Sequence, residues 1–271
     1  MSKIKLVDDI FQNGIPYLKF GSGDKIMIVF QGGPGNELPK GFGFKMFAKP
    51  FFVFTQEYTI YFVTRKSGLP ENYTTLDMSN DYATMIQQEF NGKVDVIIGA
   101  SFGGFIIQHF IADFPEMSDY FIIAMASYKG SDEGMKFDYE YAKYVSEGKT
   151  GKAFATIPTV FISNRIMRVF LKPLFYLFGL FMKPKSDTYA QDILIEAKAE
   201  VEHNSKDRLS EIKKPTLILC GDNDYYMPLN YLKEMEQLIP NAILKIYSGK
   251  GHNIITSKQF TQDIAEFITK K

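Results

Sequence analysis

Val94-Asp95-Val96-Ile97-Ile98-Gly99-Ala100-Ser101-Phe102-Gly103-Gly104-Phe105-Ile106-Ile107-Gln108-His109-Phe110-Ile111-Ala112-Asp113 is the stretch that decides how this chain folds. Residues 94–98 form a short, β-branched, mostly apolar run, the pattern of a buried strand, and residues 102–113 have helical spacing. That leaves Gly99, Ala100 and Ser101 to turn the chain. In a turn this tight, the residues two before and two after the serine must lack side chains, and both are glycine. The serine hydroxyl is then left exposed above the sheet. The Gly99, Ser101, Gly103 spacing alone arises by chance in roughly one chain in ten of this length. The weight therefore rests on the strand before it and the helix after it.

The same alternation continues outward. Apolar, β-branched or aromatic runs at 25–30, 59–64, 120–126, 216–220 and 242–247 predict strands, and 76–90, 230–238 and 257–269 predict helices. Strands separated by helices predict an α/β fold with a mostly parallel, doubly wound sheet. Between Tyr128 and Lys214 no strand pattern occurs, and helical patterns fall at 137–147, 159–172, 173–182 and 188–204. Pro173 suits the first turn of a new helix, which places a break there. The expected organisation is a core of residues 1–127 and 205–271 with an all-helical cap inserted at 128–204.

A serine hydroxyl becomes a competent nucleophile only when a base removes its proton and an acid orients that base. Of three histidines, His252 lies in the loop Ser248-Gly249-Lys250-Gly251-His252, between the last predicted strand and the last helix. His109, within the helix after the turn, and His203, at the end of the cap, read as structural histidines. The segment Gly221-Asp222-Asn223-Asp224-Tyr225-Tyr226-Met227-Pro228 supplies the acid. Asp224 is better placed than Asp222, which suits a turn role, because aspartate readily bonds loop backbone. Negative charge developing on a carbonyl oxygen needs fixed donors. The backbone N–H of Phe102 is one, and the loop Gln31-Gly32-Gly33-Pro34-Gly35 offers that of Gly33, since Pro34 has none. This loop lacks the glycine spacing of a phosphate cradle.

Together, Gln31 to Gly35, Gly99 to Gly103, Gly221 to Pro228 and Gly249 to His252 resemble the motifs of the α/β-hydrolase superfamily, over nearly the whole chain outside the cap. The resemblance implies a catalytic triad in the order Ser101, Asp224, His252, with Ser101 on a nucleophile elbow. The oxyanion loop is similar to that of proline iminopeptidases and related cap-bearing hydrolases. This chain departs from the iminopeptidases in having Gln31 where they usually have histidine, Phe102 where they usually have tryptophan, and no tryptophan at all.

Composition narrows the partners. Lysine plus arginine number 31, and aspartate plus glutamate also 31, so no net field recruits nucleic acid, and none is expected. No cluster of histidine, cysteine or carboxylate has metal-ligand spacing, and neither metal nor cofactor is expected. The single cysteine, Cys220, excludes an internal disulfide and reads as a small buried residue. With charges at Lys3, Lys5, Asp8 and Asp9 the N-terminal stretch does not read as a signal peptide, and a cytoplasmic location is expected. Oligomeric state leaves no mark in the sequence.

Residues 158–185 carry Arg165, Arg168, Lys172, Lys183 and Lys185 and no acidic residue. Arg165, Arg168 and Lys172 make one polar stripe beside apolar neighbours, so this segment is either an ordinary cap helix or a surface that touches anionic membranes. Both imply an apolar pocket, for which 25 phenylalanines and 12 methionines are available. The small-molecule substrate is expected to be a carboxylic ester with a hydrophobic acyl or alcohol part. The alternatives are an aminopeptidase of the proline iminopeptidase type, with Glu196, Glu200 or Glu202 holding the substrate ammonium, a C–C hydrolase or perhydrolase, and a non-enzymatic ligand receptor.

Overall fold

The computed structural model describes residues 5–161, 164–182 and 186–269. Its strands are β1 (Val7–Ile10), β2 (Pro16–Gly21), β3 (Lys25–Phe30), β4 (Tyr58–Val63), β5 (Val94–Ala100), β6 (Ser118–Ala124), β7 (Thr216–Gly221) and β8 (Ala242–Tyr247). They form one sheet in the order β1-β2-β4-β3-β5-β6-β7-β8. From β4 to β8 every pairing is parallel, and β2 and β1 add antiparallel at one edge.

The parallel strands are apolar on both faces because helices cover both faces. In β5, Ile97 points into a core shared with α2 (Thr75–Glu89), α3 (Phe102–Asp113) and α8 (Leu229–Leu238). Val96 and Ile98 point into the opposite core, formed with α1 (Gly41–Ala48) and α9 (Lys258–Thr269). α2 starts where Thr74 and Asp77 satisfy each other's backbone N–H groups, a reciprocal cap that fixes its first turn.

Between β6 and β7 lie α4 (Asp132–Ser146), α5 (Thr150–Phe161), α6 (Arg165–Leu180) and α7 (Tyr189–Glu202). Two sequence expectations fail here. The helix predicted at 159–172 is instead the end of α5 and the start of α6, with residues 162 and 163 outside the described part. Asn164 caps α6 by accepting the N–H groups of Ile166 and Met167. The break predicted at Pro173 does not occur, and α6 runs through it. A mid-helix proline forfeits one bond, here to the carbonyl of Val169. Val169 is exposed, so solvent reaches that part of the helix.

β1, β2 and α1 went unpredicted for physical reasons. β1 reads Val-Asp-Asp-Ile and is an exposed edge, so it shows no apolar run. β2 opens on Pro16, and α1 begins Gly41-Phe42-Gly43, where two glycines weaken the helical signal.

Candidate active site

The turn after β5 is as tight as its glycines require. Ser101 sits at φ 53°, a left-handed conformation that a non-glycine residue holds only under constraint from its surroundings. A Cβ on Gly99 would stand 2.6 Å from both the Gly103 carbonyl oxygen and Ile107 Cγ1, and one on Gly103 would overlap the Phe30 carbonyl. Phe102 opens α3, so its N–H has no preceding turn to bond and stays available beside Ser101.

His252 and Asp224 arrive from loops after β8 and β7. Ser101 Oγ lies 2.8 Å from His252 Nε2, and His252 Nδ1 lies 2.9 Å from Asp224 Oδ2. A carboxylate only accepts, so the ring proton belongs on Nδ1, and Nε2 is left to accept the serine hydroxyl. Asp224 is nearly buried, and its Oδ1 also accepts the N–H groups of Tyr226 and Met227. Asp222 takes the N–H of Gly249 instead, tying down the loop that carries His252. His109 and His203 are both buried away from these groups; His203 bonds the Thr75 hydroxyl and stacks on Phe105.

The loop after β3 passes close to the serine, since a Cβ on Gly32 would come within 3.1 Å of Ser101 Cβ. Its orientation is set by a residue the sequence reading missed. Arg65, just beyond β4, donates through Nη1 to the carbonyls of Gln31 and Gly32 and through Nη2 to that of Gly35. In a trans peptide the N–H points opposite the carbonyl, so drawing the Gly32 oxygen toward Arg65 turns the Gly33 N–H away from it. Arg65 is in turn held by Glu196 of α7, with Nη2 to Oε2 at 2.7 Å and Nε to Oε1 at 3.1 Å. Burial opposes the guanidinium charge, but Glu196 outweighs it and holds the arginine above its ordinary pKa. Both side chains are sealed from solvent, at 2% and 0% exposure. Breaking such a pair strands a buried charge, at about 3–5 kcal/mol. Glu196→Ala is therefore expected to lower the urea unfolding free energy by about that amount. A loss under about 1 kcal/mol, as for a surface pair, would show that the clamp is not structural.

A family model described as the alpha/beta hydrolase fold matches residues 183–259, the part that holds Asp224 and His252. Two solved structures match nearly end to end. MGS-M2, an α/β hydrolase enzyme from a Medee basin deep-sea metagenome library, aligns with TM-score 0.75 at 20% identity, over 98% of each chain. The enol-lactonase from Burkholderia xenovorans LB400 aligns with TM-score 0.74 at 16% identity, over 97% of this chain and all of that one. This chain has the α/β-hydrolase fold. Among curated proteins, it is 36% identical to the non-heme chloroperoxidase CPO-A1 of Kitasatospora aureofaciens over 72 residues, 24% of this chain. It is 28% identical to a "Probable acyltransferase" of Methanothermobacter thermautotrophicus over 198 residues, 66% of this chain. The matches span 26% and 61% of those two relatives' lengths.

Above Ser101 the protein has a cavity of about 440 Å³. Phe47, Phe51, Phe62, Met125, Phe137, Ile157 and Phe260 line it, drawing on both the sheet domain and α4 and α5. Among these apolar walls stand the carboxyls of Asp138 and Glu37. Asp138 accepts the Tyr226 hydroxyl at 3.2 Å, and the Tyr226 ring packs on that of His252. Burial pushes the Asp138 carboxyl up to about 7, against the opposing pull of His252 and the tyrosine hydroxyl.

The three cap carboxylates offered for a substrate ammonium do not line the cavity. Glu196 is committed to Arg65, Glu200 is buried and pushed well above the usual carboxylate range by desolvation, then by Asp138, and Glu202 is exposed. Arg65 left a readable trace, a cation directly after an apolar strand, at the strand end where α/β sheets build sites. Asp138 left none, being one carboxylate within an aromatic helix.

Proposed function

We propose that this α/β hydrolase is a serine carboxylic ester hydrolase working through an acyl-enzyme. The observation that carries the reading is the continuous line of contacts from Ser101 through His252 to Asp224 at the base of an apolar cavity. Ser101 Oγ attacks the ester carbonyl carbon while His252 Nε2 takes the hydroxyl proton. The oxygen that becomes negative meets the N–H groups of Phe102 and Gly33, each worth about 3–4 kcal/mol of transition-state stabilisation. The tetrahedral intermediate expels the alcohol, which leaves with the proton from His252. Water, deprotonated by the same nitrogen, then attacks the acyl-enzyme and releases the acid and Ser101. A cytoplasmic location belongs to the same proposal, supported by the single cysteine, buried as Cys220.

The apolar walls support a hydrophobic acyl part. Asp138, whose burial among apolar walls favours the neutral carboxyl, suits donation to a neutral substrate oxygen better than pairing with an ammonium, which disfavours the aminopeptidase alternative. The deciding experiment is a side-by-side panel of p-nitrophenyl esters and amino-acid p-nitroanilides. Esters are expected to turn over, with kcat/KM rising as the acyl chain lengthens, up to about fourfold per methylene until the cavity is full. Turnover of anilides with esters inert would overturn the ester reading in favour of an aminopeptidase.

A further inference from the structure

α6 presents an apolar surface that nothing among the described residues covers. Ile166, Val169, Phe170, Leu174, Leu177 and Phe181 are between 55% and 81% exposed. Their spacing of three, one, four, three and four residues puts them on one stripe of the helix. The opposite side packs on α5, where the helices approach closely enough that a Cβ on Gly179 would stand 2.8 Å from Phe154 Cβ. Phe178 meets Phe154 there, with ring centroids 5.5 Å apart. Soluble proteins seldom expose a contiguous apolar patch of this extent without a partner for it.

Charge selects the partner. Arg165 and Lys172 lie two turns apart on the flank of the stripe, and both are exposed. From Thr150 to Ser186 the chain has no acidic residue, although it is neutral as a whole. A long apolar face edged by cations with no anion among them complements an anionic lipid surface, where apolar side chains enter the acyl boundary and cations meet the headgroups. A second copy of the chain would set these cations against each other. The helix lies along the surface and does not cross it: 16 residues span about 24 Å, short of the roughly 30 Å hydrocarbon layer. Among the described residues no helix is long and apolar enough to span.

We infer that α6 is a docking helix that seats this protein in the plane of an anionic membrane. The inference is independent of the reaction, because none of the stripe residues lines the cavity above Ser101.

The test is co-sedimentation of the full chain with vesicles of phosphatidylcholine alone and of equimolar phosphatidylcholine and phosphatidylglycerol, at low and high salt. Wild type is expected to sediment with the anionic vesicles, less so as salt rises, and weakly with phosphatidylcholine alone. Arg165→Gln with Lys172→Gln should weaken partitioning about 30-fold, at about fivefold per cation. Phe170→Ser with Leu177→Ser should weaken it by at least about tenfold. All four side chains are exposed, so melting temperatures should match wild type. Wild type failing to sediment with anionic vesicles would overturn the inference. So would a lipid-free dimer in sedimentation velocity that Phe170→Ser with Leu177→Ser returns to monomer, since a second copy would then cover the stripe.

Discussion

Ser101→Ala is expected to abolish covalent labelling by a fluorophosphonate probe and to lower ester turnover by about 10⁶, the scale seen when a triad nucleophile is removed. The fold should survive unchanged. Ser101 holds its positive φ with a Cβ already in place, and alanine keeps that Cβ, so the backbone strain is the same before and after. Loss of the hydroxyl removes one hydrogen bond, to His252 Nε2, at a part-buried position where water can replace it. The checks are gel fluorescence after probe treatment, ester turnover, and thermal melting of both proteins. Labelling that persists in the variant, or turnover within tenfold of wild type, would place the nucleophile elsewhere.

How far the sequence reads depends on where each signal is stored. The parallel strands are legible because both faces are buried: Ile97 and Val96 enter opposite cores, so a plain apolar run appears at 94–98. The antiparallel edge is not legible, since β1 has one open edge and tolerates Asp8 and Asp9. The elbow is legible because steric exclusion leaves only glycine at positions 99 and 103. Arg65 and Glu196 stand 131 positions apart, and although Arg65 follows an apolar strand, nothing near either residue names the other as its partner. Their pairing exists only once α7 lies over the loop after β3. Pro173 misled because a helix tolerates proline where the forfeited carbonyl bond lies on an open surface. The same openness that lets α6 pass through Pro173 leaves its apolar stripe uncovered.

That logic of stored geometry decides between two neighbouring acids. Asp224→Asn is expected to lower kcat/KM by about 10⁴, and Asp222→Asn by less than about tenfold. At position 224, Oδ1 faces two backbone donors, the N–H groups of Tyr226 and Met227. An asparagine there must place its carbonyl oxygen against those donors, because its amide nitrogen cannot accept from them. The amide nitrogen then occupies the Oδ2 position, 2.9 Å from His252 Nδ1, and donates to it. Nδ1 then meets an amide donor at the nearer of its two contacts with residue 224, the other being Oδ1 at 3.1 Å, already taken by two backbone donors. This favours the ring proton on Nε2, where it faces Ser101 and cannot remove the hydroxyl proton. Asparagine at 222 meets no such conflict, since its side-chain oxygen still accepts the Gly249 N–H and the His252 loop stays in place. Measured on one ester under the same conditions, the two variants should therefore separate by about three orders of magnitude. The reverse ranking would move the acid to Asp222 and leave Asp224 as the residue that shapes the loop.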